Sequence, residues 1–160
     1  MRTLTALLLF VFHITYAQKG YFVKNKGQWQ SPILSKIDLV NGSLFLEEKA
    51  LTFNFVDATF FNHKHSHPKA PDTIDAHAYR WHFVKANKPT IQYHRPQKGV
   101  VNFFKGTSQF SKLKKYQKVS YQELYDGVDY SIYCYGNGLK YDWIVKPYAD
   151  PSTIKMKLEG

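Results

Sequence analysis

Apolar and polar residues alternate along most of this chain, and this period-two pattern limits its fold more than any other feature. In "HAYRWHFV", Tyr79, Trp81 and Phe83 fall on one face of an extended strand, and Arg80 and His82 fall on the other. The segment "SLFLEEKALTFNFVD" alternates on both sides of a charged turn, which predicts a β-hairpin. No segment has the period of a helix of ten or more residues. The pattern therefore predicts a mainly β fold, an antiparallel β-sandwich of roughly eight to ten short strands with little or no helix.

A second hairpin is predicted near the C-terminal end. "DYSIYCY" and "LKYDWIV" flank an Asn-Gly pair, which readily adopts the positive φ angles of a tight turn. Within the second strand the alternation predicts a buried face, formed by Leu139, Tyr141, Trp143 and Val145. The prolines of "KPYADPS" end the sheet pairing, and a further strand is predicted to begin at Thr153.

The first seventeen residues have the pattern of a secretory signal peptide. Arg2 is followed by an apolar run from Leu4 to Ile14, and small residues at Thr15 and Ala17 suit signal peptidase. The apolar run is shorter than the roughly 20 residues of a membrane span. We therefore expect a secreted protein with a signal peptide over residues 1–17, one domain over residues 18–160 and no transmembrane segment in the mature chain.

The charge of the chain favours acidic partners. Its formal net charge is +10 at pH 7, and lysines are densest in "KGTSQFSKLKKYQK". This segment is a candidate site for an anionic polysaccharide or another polyanion, although such a run also suits a solvated strand face. The candidate ligand-binding residues are Lys105, Lys112, Lys114, Lys115, Lys118, Tyr116 and Tyr121. The sequence contains no recognised nucleic-acid-binding motif.

Three histidines alternate in the segment "NHKHSHPKAPDTID". If that segment were extended, His63, His65 and His67 would project from one side, and two of them could share a metal ion. A surface loop without bound metal is the alternative interpretation. A catalytic zinc site would also need a third ligand and a nearby general base.

No arrangement of residues predicts an enzyme. The carboxylates Asp126, Asp129 and Asp142 each suit a turn or a strand position, and no nucleophile motif or phosphate-binding loop is present. We expect no catalysis and no cofactor. The single cysteine, Cys134, can form no intramolecular disulfide.

The order of short motifs resembles a known bacterial family. "FVKNKGQW", "GSLFLEEKALTFNF", "HAYRWHFVKAN", "VVNFFKG", "YQKVSYQELYDGVDYSIY", "LKYDWIV" and "ADPSTIKMKLEG" follow one another between about Phe22 and Gly160. This succession is similar to an N-terminal domain of unknown function in large secreted bacteroidete cell-surface proteins. Those proteins carry β-propeller (SBBP-type) repeats or a gliding-motility-associated C-terminal region. The chain departs from the family pattern at Tyr148, where a small residue such as glycine is expected.

The resemblance implies a β-rich module that precedes other modules and reaches the cell surface by type IX secretion. It also implies that the chain is the N-terminal part of a longer protein, whose downstream domains are its partners. Asp72-Thr73-Ile74 resembles the O-glycosylation acceptor motif of these bacteria, which makes Thr73 a candidate glycosylation site.

Three functional hypotheses follow. The first is a noncatalytic structural or interaction module of a cell-surface protein. The second is a polysaccharide-binding or polyanion-binding module, and the third is a metal-dependent hydrolase centred on the histidine segment.

Overall fold

A computed structural model describes residues 20–57, 73–136 and 138–160. In these ranges the chain forms ten β-strands and a single 3-10 helix. The strands are β1 (Phe22–Lys24), β2 (Ser35–Leu39), β3 (Gly42–Leu46), β4 (Ala50–Val56), β5 (Ala76–Phe83), β6 (Thr90–Lys105), β7 (Ser108–Tyr125), β8 (Val128–Tyr135), β9 (Gly138–Val145) and β10 (Met156–Glu159). The 3-10 helix, Pro151–Thr153, lies between β9 and β10. The predicted mainly β fold is confirmed.

All neighbouring strands pair antiparallel in one continuous sheet. The strand order is β10-β5-β4-β3-β2-β1-β7-β8-β9, and β6 pairs with β7 outside this path. The alternation predicted the pairings of β3 with β4 and of β8 with β9, because a directly opposite pair of residues shares one face of the sheet. Leu46 lies opposite Leu51, for example, and both are buried in the core.

Strand β7 joins two branches of the sheet. Strand β6 pairs along one edge of β7. On the opposite edge, β1 pairs at Lys115 and Tyr116, and β8 pairs from Lys118 onward. Because β1 and β8 follow each other along the same edge, the sheet divides at this point. One branch continues from β1 to β5 and β10, and the other contains β8 and β9.

The core lies between these two branches, which curl toward each other. The ring of Phe83 on β5 lies 5.3 Å from the ring of Tyr130 on β8 and 5.9 Å from that of Trp143 on β9, measured between centroids. The fully buried side chains around them include Phe22, Leu44, Leu46, Leu51, Val119, Tyr121, Leu124, Val128 and Ile132. Curling of this one antiparallel sheet therefore buries many of the predicted apolar side chains.

Two of the strands are longer than the sequence pattern predicted. Strand β6 has 16 residues and β7 has 18. Pro96 interrupts the pattern, but it lies at a register shift between β6 and β7, where a residue without an N–H group does not break the ladder. A second shift lies between Val101 and Phe103. Because of these register shifts, apolar and polar residues do not alternate without a break, and the alternation therefore did not predict one continuous hairpin.

The predicted buried face of the last hairpin needs a correction. Leu139 and Trp143 are partly buried against the core, but Tyr141 is 46% exposed and Val145 is 41% exposed. Among the strands that the structure describes, β9 pairs with β8 alone, so its inner side chains lie at an edge of the sheet and are incompletely covered.

The last strand begins later than predicted, at Met156 rather than at Thr153. Asp150 caps the 3-10 helix, because its carboxylate accepts a hydrogen bond of 2.8 Å from the backbone N–H of Ser152. Pro151 to Thr153 are therefore helical, and β10 begins only after them.

Within the described ranges, no helix is long and apolar enough to cross a membrane. The predicted signal peptide, residues 1–17, lies outside these ranges.

Candidate anion-binding site

The loop between β1 and β2 is organised by the side chain of Asn25. Its amide nitrogen donates hydrogen bonds of 2.7 Å to the carbonyl oxygens of Trp29 and Ile33. Its amide oxygen accepts from the backbone N–H groups of Gly27 at 2.9 Å and Trp29 at 3.2 Å. One asparagine thus fixes both ends of the loop, which gives the Asn25 of the family motif a structural role.

Gln28 and Gly27 complete this loop. The buried Gln28 side chain donates to the carbonyl oxygen of Lys24 at 2.9 Å and accepts from the N–H of Lys26 at 2.6 Å. Gly27 has a φ of +113°, and a side chain there would come within 3.1 Å of the Phe110 ring. The motif therefore holds Lys24 and Lys26 in position and lets the loop approach β7 closely.

The long hairpin of β6 and β7 covers this loop. Among the described residues, the part of β7 from Ser108 to Lys114 pairs only with β6. The ring of Phe103 lies edge-on to Trp29, with 5.3 Å between centroids. The hairpin and the loop therefore contact each other through aromatic rings.

A cavity of about 490 Å³ lies between the loop, the end of β1 and the first half of β7. Its lining residues are Lys24, Lys26, Phe110, Ser111, Lys112, Leu113, Lys114 and Tyr116. Four of these side chains carry an ammonium group, and no carboxylate lines the cavity. We call this space the lysine cavity.

Carboxylates of the described residues do not neutralise the four ammonium groups. Among the described residues, none of Lys24, Lys26, Lys112 and Lys114 forms an ion pair with a carboxylate. Lys24 lies over the ring of Tyr93, with its nitrogen 5.3 Å from the ring centroid, which is a weak attraction. Like charges that share a cavity repel one another, so an anion in the cavity would remove this repulsion.

The structure separates the predicted ligand-binding residues into three groups. Lys112, Lys114 and Tyr116 line the lysine cavity. Lys115 and Lys118 lie outside it, over the rings of Tyr21 and Tyr133 respectively. Lys105 lies at the tip of the β6–β7 hairpin, opposite Ser108.

Tyr121 does not belong to the site, which corrects the prediction. Its side chain is fully buried in the core, between the rings of Phe83 and Tyr130. Burial raises the pKa of its hydroxyl well above the ordinary value. The period-two pattern predicted a strand here but not which tyrosines would face inward.

Lys24 and Lys26 were missed by the sequence analysis. They lie far from the lysine-rich segment in sequence, and the pairing of β1 with β7 brings them beside it. The one signal that could have pointed to them is the "KNKGQW" motif, whose resemblance to the family indicates a fixed loop.

The predicted metal ligands His63, His65 and His67 lie outside the described residues. Thr73, the candidate glycosylation site, is exposed, but Asp72 before it is also outside the described ranges. In residues 20–57, 73–136 and 138–160, no three His, Cys, Asp or Glu side chains are grouped as metal ligands.

The carboxylates considered for catalysis have hydrogen-bond partners in the fold. The carboxylate of Asp126 accepts from the side-chain amide of Asn87 at 2.8 Å, and that of Asp129 accepts from the N–H of Glu123 at 2.8 Å. Tyr133 donates to Asp142 at 3.3 Å. These contacts join separate segments of the chain, so each carboxylate has a structural function.

Comparison with known proteins gives a family. A family model described as "Domain of unknown function (DUF7948)" matches residues 22–160. No curated protein and no solved structure matches the chain. The matched range contains all ten strands described above and the lysine cavity.

Proposed function

We propose that this chain, which belongs to the DUF7948 family of domains of unknown function, is a noncatalytic interaction module that binds an acidic polymer at the lysine cavity. The observation that carries the proposal is a cavity lined by four lysines and by no carboxylate. An anionic surface polysaccharide is the ligand class that fits a secreted module best. The predicted signal peptide over residues 1–17 and the resemblance to N-terminal domains of bacteroidete surface proteins support secretion to the cell surface.

The chemistry of the lining residues suits a flexible anionic chain. Lysine ammonium groups are compact charges on flexible stems and do not impose the planar geometry of arginine. The rings of Phe110 and Tyr116 and the hydroxyl of Ser111 supply apolar and hydrogen-bonding surface beside these charges. A ligand longer than the cavity could also reach Lys118, further along the same strand.

Binding to dextran sulfate, with neutral dextran as the control polymer, tests the proposal. The affinity should fall steeply between about 50 and about 200 mM salt, because the ligand displaces condensed counterions. The double variant Lys24→Gln/Lys114→Gln should weaken binding by about tenfold or more. It should also reduce the slope of the logarithm of the binding constant against the logarithm of the salt concentration by about two. Both side chains are exposed at the cavity, so the fold should be retained.

The matched control is Lys140→Gln/Lys155→Gln, which removes the same charge from β9 and from the segment before β10. The control should bind almost as well as the original protein. Equal weakening by both double variants would show that net charge alone drives binding and would contradict a specific site. An unchanged affinity in the first variant would contradict the proposal directly.

A second candidate function is structural. On β10, Met156 lies opposite Phe83 and Leu158 lies opposite Trp81, so both face the core side of an open sheet edge while remaining exposed. This arrangement favours cover by another domain of the same polypeptide. If they serve such an interface, Met156→Ser/Leu158→Ser should change the free energy of unfolding of this chain by less than about 0.5 kcal/mol. A larger loss would show that they belong to its own core.

A further inference from the structure

The tip of the β6–β7 hairpin carries a large apolar side chain that the fold does not cover. Phe104 is 72% exposed, and Val100 on the same strand is 51% exposed. The neighbouring ring of Phe103 packs on Trp29, and successive side chains of a strand point to opposite faces. Phe104 therefore points away from the loop that the hairpin covers.

The same hairpin carries positive charge on the face of this ring. Lys114 on β7 lies directly opposite Val100, and Val100 and Phe104 lie on the same face of β6. Lys98 and Lys105 lie on β6, and Lys112 and Lys114 lie on β7. Lys105 directly follows Phe104. At the turn, a Cβ atom added to Gly106 would have no other described group within 4 Å. The tip is thus open to a broad surface that approaches from outside.

We propose that the hairpin docks on a lipid surface with anionic headgroups. In this interaction the Phe104 ring enters the boundary between headgroups and acyl chains, and the lysines of the hairpin, among them Lys114, which also lines the lysine cavity, bind the headgroup anions. The inference goes beyond the proposed function, because its partner is a lipid surface and not an acidic polymer, although Lys112 and Lys114 belong to both sites.

Two physical effects favour a lipid surface as the partner of the hairpin tip. An apolar ring in water is stabilised when it enters an apolar phase, whereas a dissolved, charged polymer offers it little apolar surface. Each lysine near an anionic lipid surface adds electrostatic attraction to the headgroups. Its aliphatic stem can lie along the acyl chains while the ammonium group remains in water. An aromatic ring among lysines is the composition expected of an interfacial contact.

Cosedimentation of the protein with lipid vesicles tests the inference. Phosphatidylcholine vesicles are compared with mixed phosphatidylcholine and phosphatidylglycerol vesicles, and soluble dextran sulfate is measured in parallel. The protein should bind the mixed vesicles and not the neutral ones. Phe104→Ser should weaken vesicle binding by about tenfold, because the ring no longer leaves water, and should bind dextran sulfate unchanged. The matched control is Val40→Ser, which removes an exposed apolar side chain at the β2–β3 turn.

The outcomes separate the two proposals. Vesicle binding that Phe104→Ser leaves intact, or that Val40→Ser weakens equally, would overturn the docking inference. Binding to dextran sulfate without binding to mixed vesicles would overturn it too, and would leave the lysine cavity as a site for soluble polyanions. Binding to neither probe would overturn both proposals.

Discussion

The hydroxyl of Tyr125 donates a hydrogen bond of 2.7 Å to the backbone carbonyl oxygen of Lys155. This bond fastens the end of β7 to the segment that leads into β10. The same carbonyl oxygen also accepts from the N–H of Val84 at 2.8 Å. The carbonyl of Lys155 therefore connects the end of β7 with the residue that follows β5, where the chain passes from β9 to β10.

Tyr125→Phe should lower the free energy of unfolding by about 1 kcal/mol, the usual effect of losing one intramolecular hydrogen bond. Urea unfolding curves measure this change. The matched control is Tyr121→Phe. The Tyr121 hydroxyl is buried without a hydrogen-bond partner among the described residues, so its removal should be neutral or slightly stabilising. Equal losses in the two variants would contradict this difference.

Gly127→Ala should destabilise the protein more than Gly106→Ala. Both glycines have positive φ angles, +68° and +56°, so a side chain at either position adds backbone strain of about 1 kcal/mol. At Gly127 the new carbon would also lie 2.7 Å from Cβ of Ala149, whereas Gly106 has open space. We expect roughly twice the loss at Gly127, measured by thermal or urea unfolding. Similar losses at both sites would show that this contact relaxes without cost.

Tyr148→Gly should raise the free energy of unfolding by up to about 1 kcal/mol. Tyr148 is fully exposed and has a φ of +67°, a conformation that suits glycine and strains a tyrosine. This angle explains why the family pattern leads us to expect a small residue there. The control is Tyr135→Gly on β8, which should be destabilising because glycine weakens a strand. Destabilisation at both positions would show that the Tyr148 side chain makes a stabilising contact.

Acid should weaken the turn between β7 and β8. The Lys146 ammonium and the N–H of Gly127 bind the carboxylate of Glu123, and they hold its pKa below the ordinary value. A carboxylate with a lowered folded-state pKa contributes stability above its unfolded pKa and loses it as the pH falls through the folded value. The stability of the original protein should therefore decline below about pH 4.5, and Glu123→Gln should decline less.

Urea midpoints between about pH 6 and about pH 2 measure this difference. The two proteins should differ most at the upper end and converge at the lower end. The comparison variant is Glu48→Gln, at the surface 3.8 Å from Lys88, which should follow the original protein. Parallel curves for Glu123→Gln and the original protein would exclude a contribution from this carboxylate.

Local sequence pattern predicted the elements of the fold well. The alternation of Leu44 and Leu46, and of Leu51 and Phe53, was sufficient to place two paired strands and their inward faces, because each face repeats every second residue. The Asn-Gly pair that ends at Gly138 likewise predicted the hairpin of β8 and β9, because such a pair favours a tight turn. These features depend on neighbours in sequence.

The candidate site could be predicted only in part, because half of its charge comes from a distant segment. Lys112 and Lys114 were found as members of a lysine-rich run, whereas Lys24 and Lys26 join them through the pairing of Phe22 with Tyr116. No local pattern in the sequence specifies that pairing. The same limit explains Tyr121, whose burial depends on Phe83 and Tyr130 from other strands.

The shared edge of β7 also constrains the order in which this protein can fold. When a growing chain has released only β1 to β5, Phe22 and Val23 of β1 still lack their partners on β7, and the core has only one of its two branches. Neither branch can be completed before β7 is available, because β1 and β8 both pair with it. Such dependence on contacts between distant residues predicts a high contact order and a slow, cooperative folding step. Until β7 is in place, the two branches therefore cannot enclose the core between them.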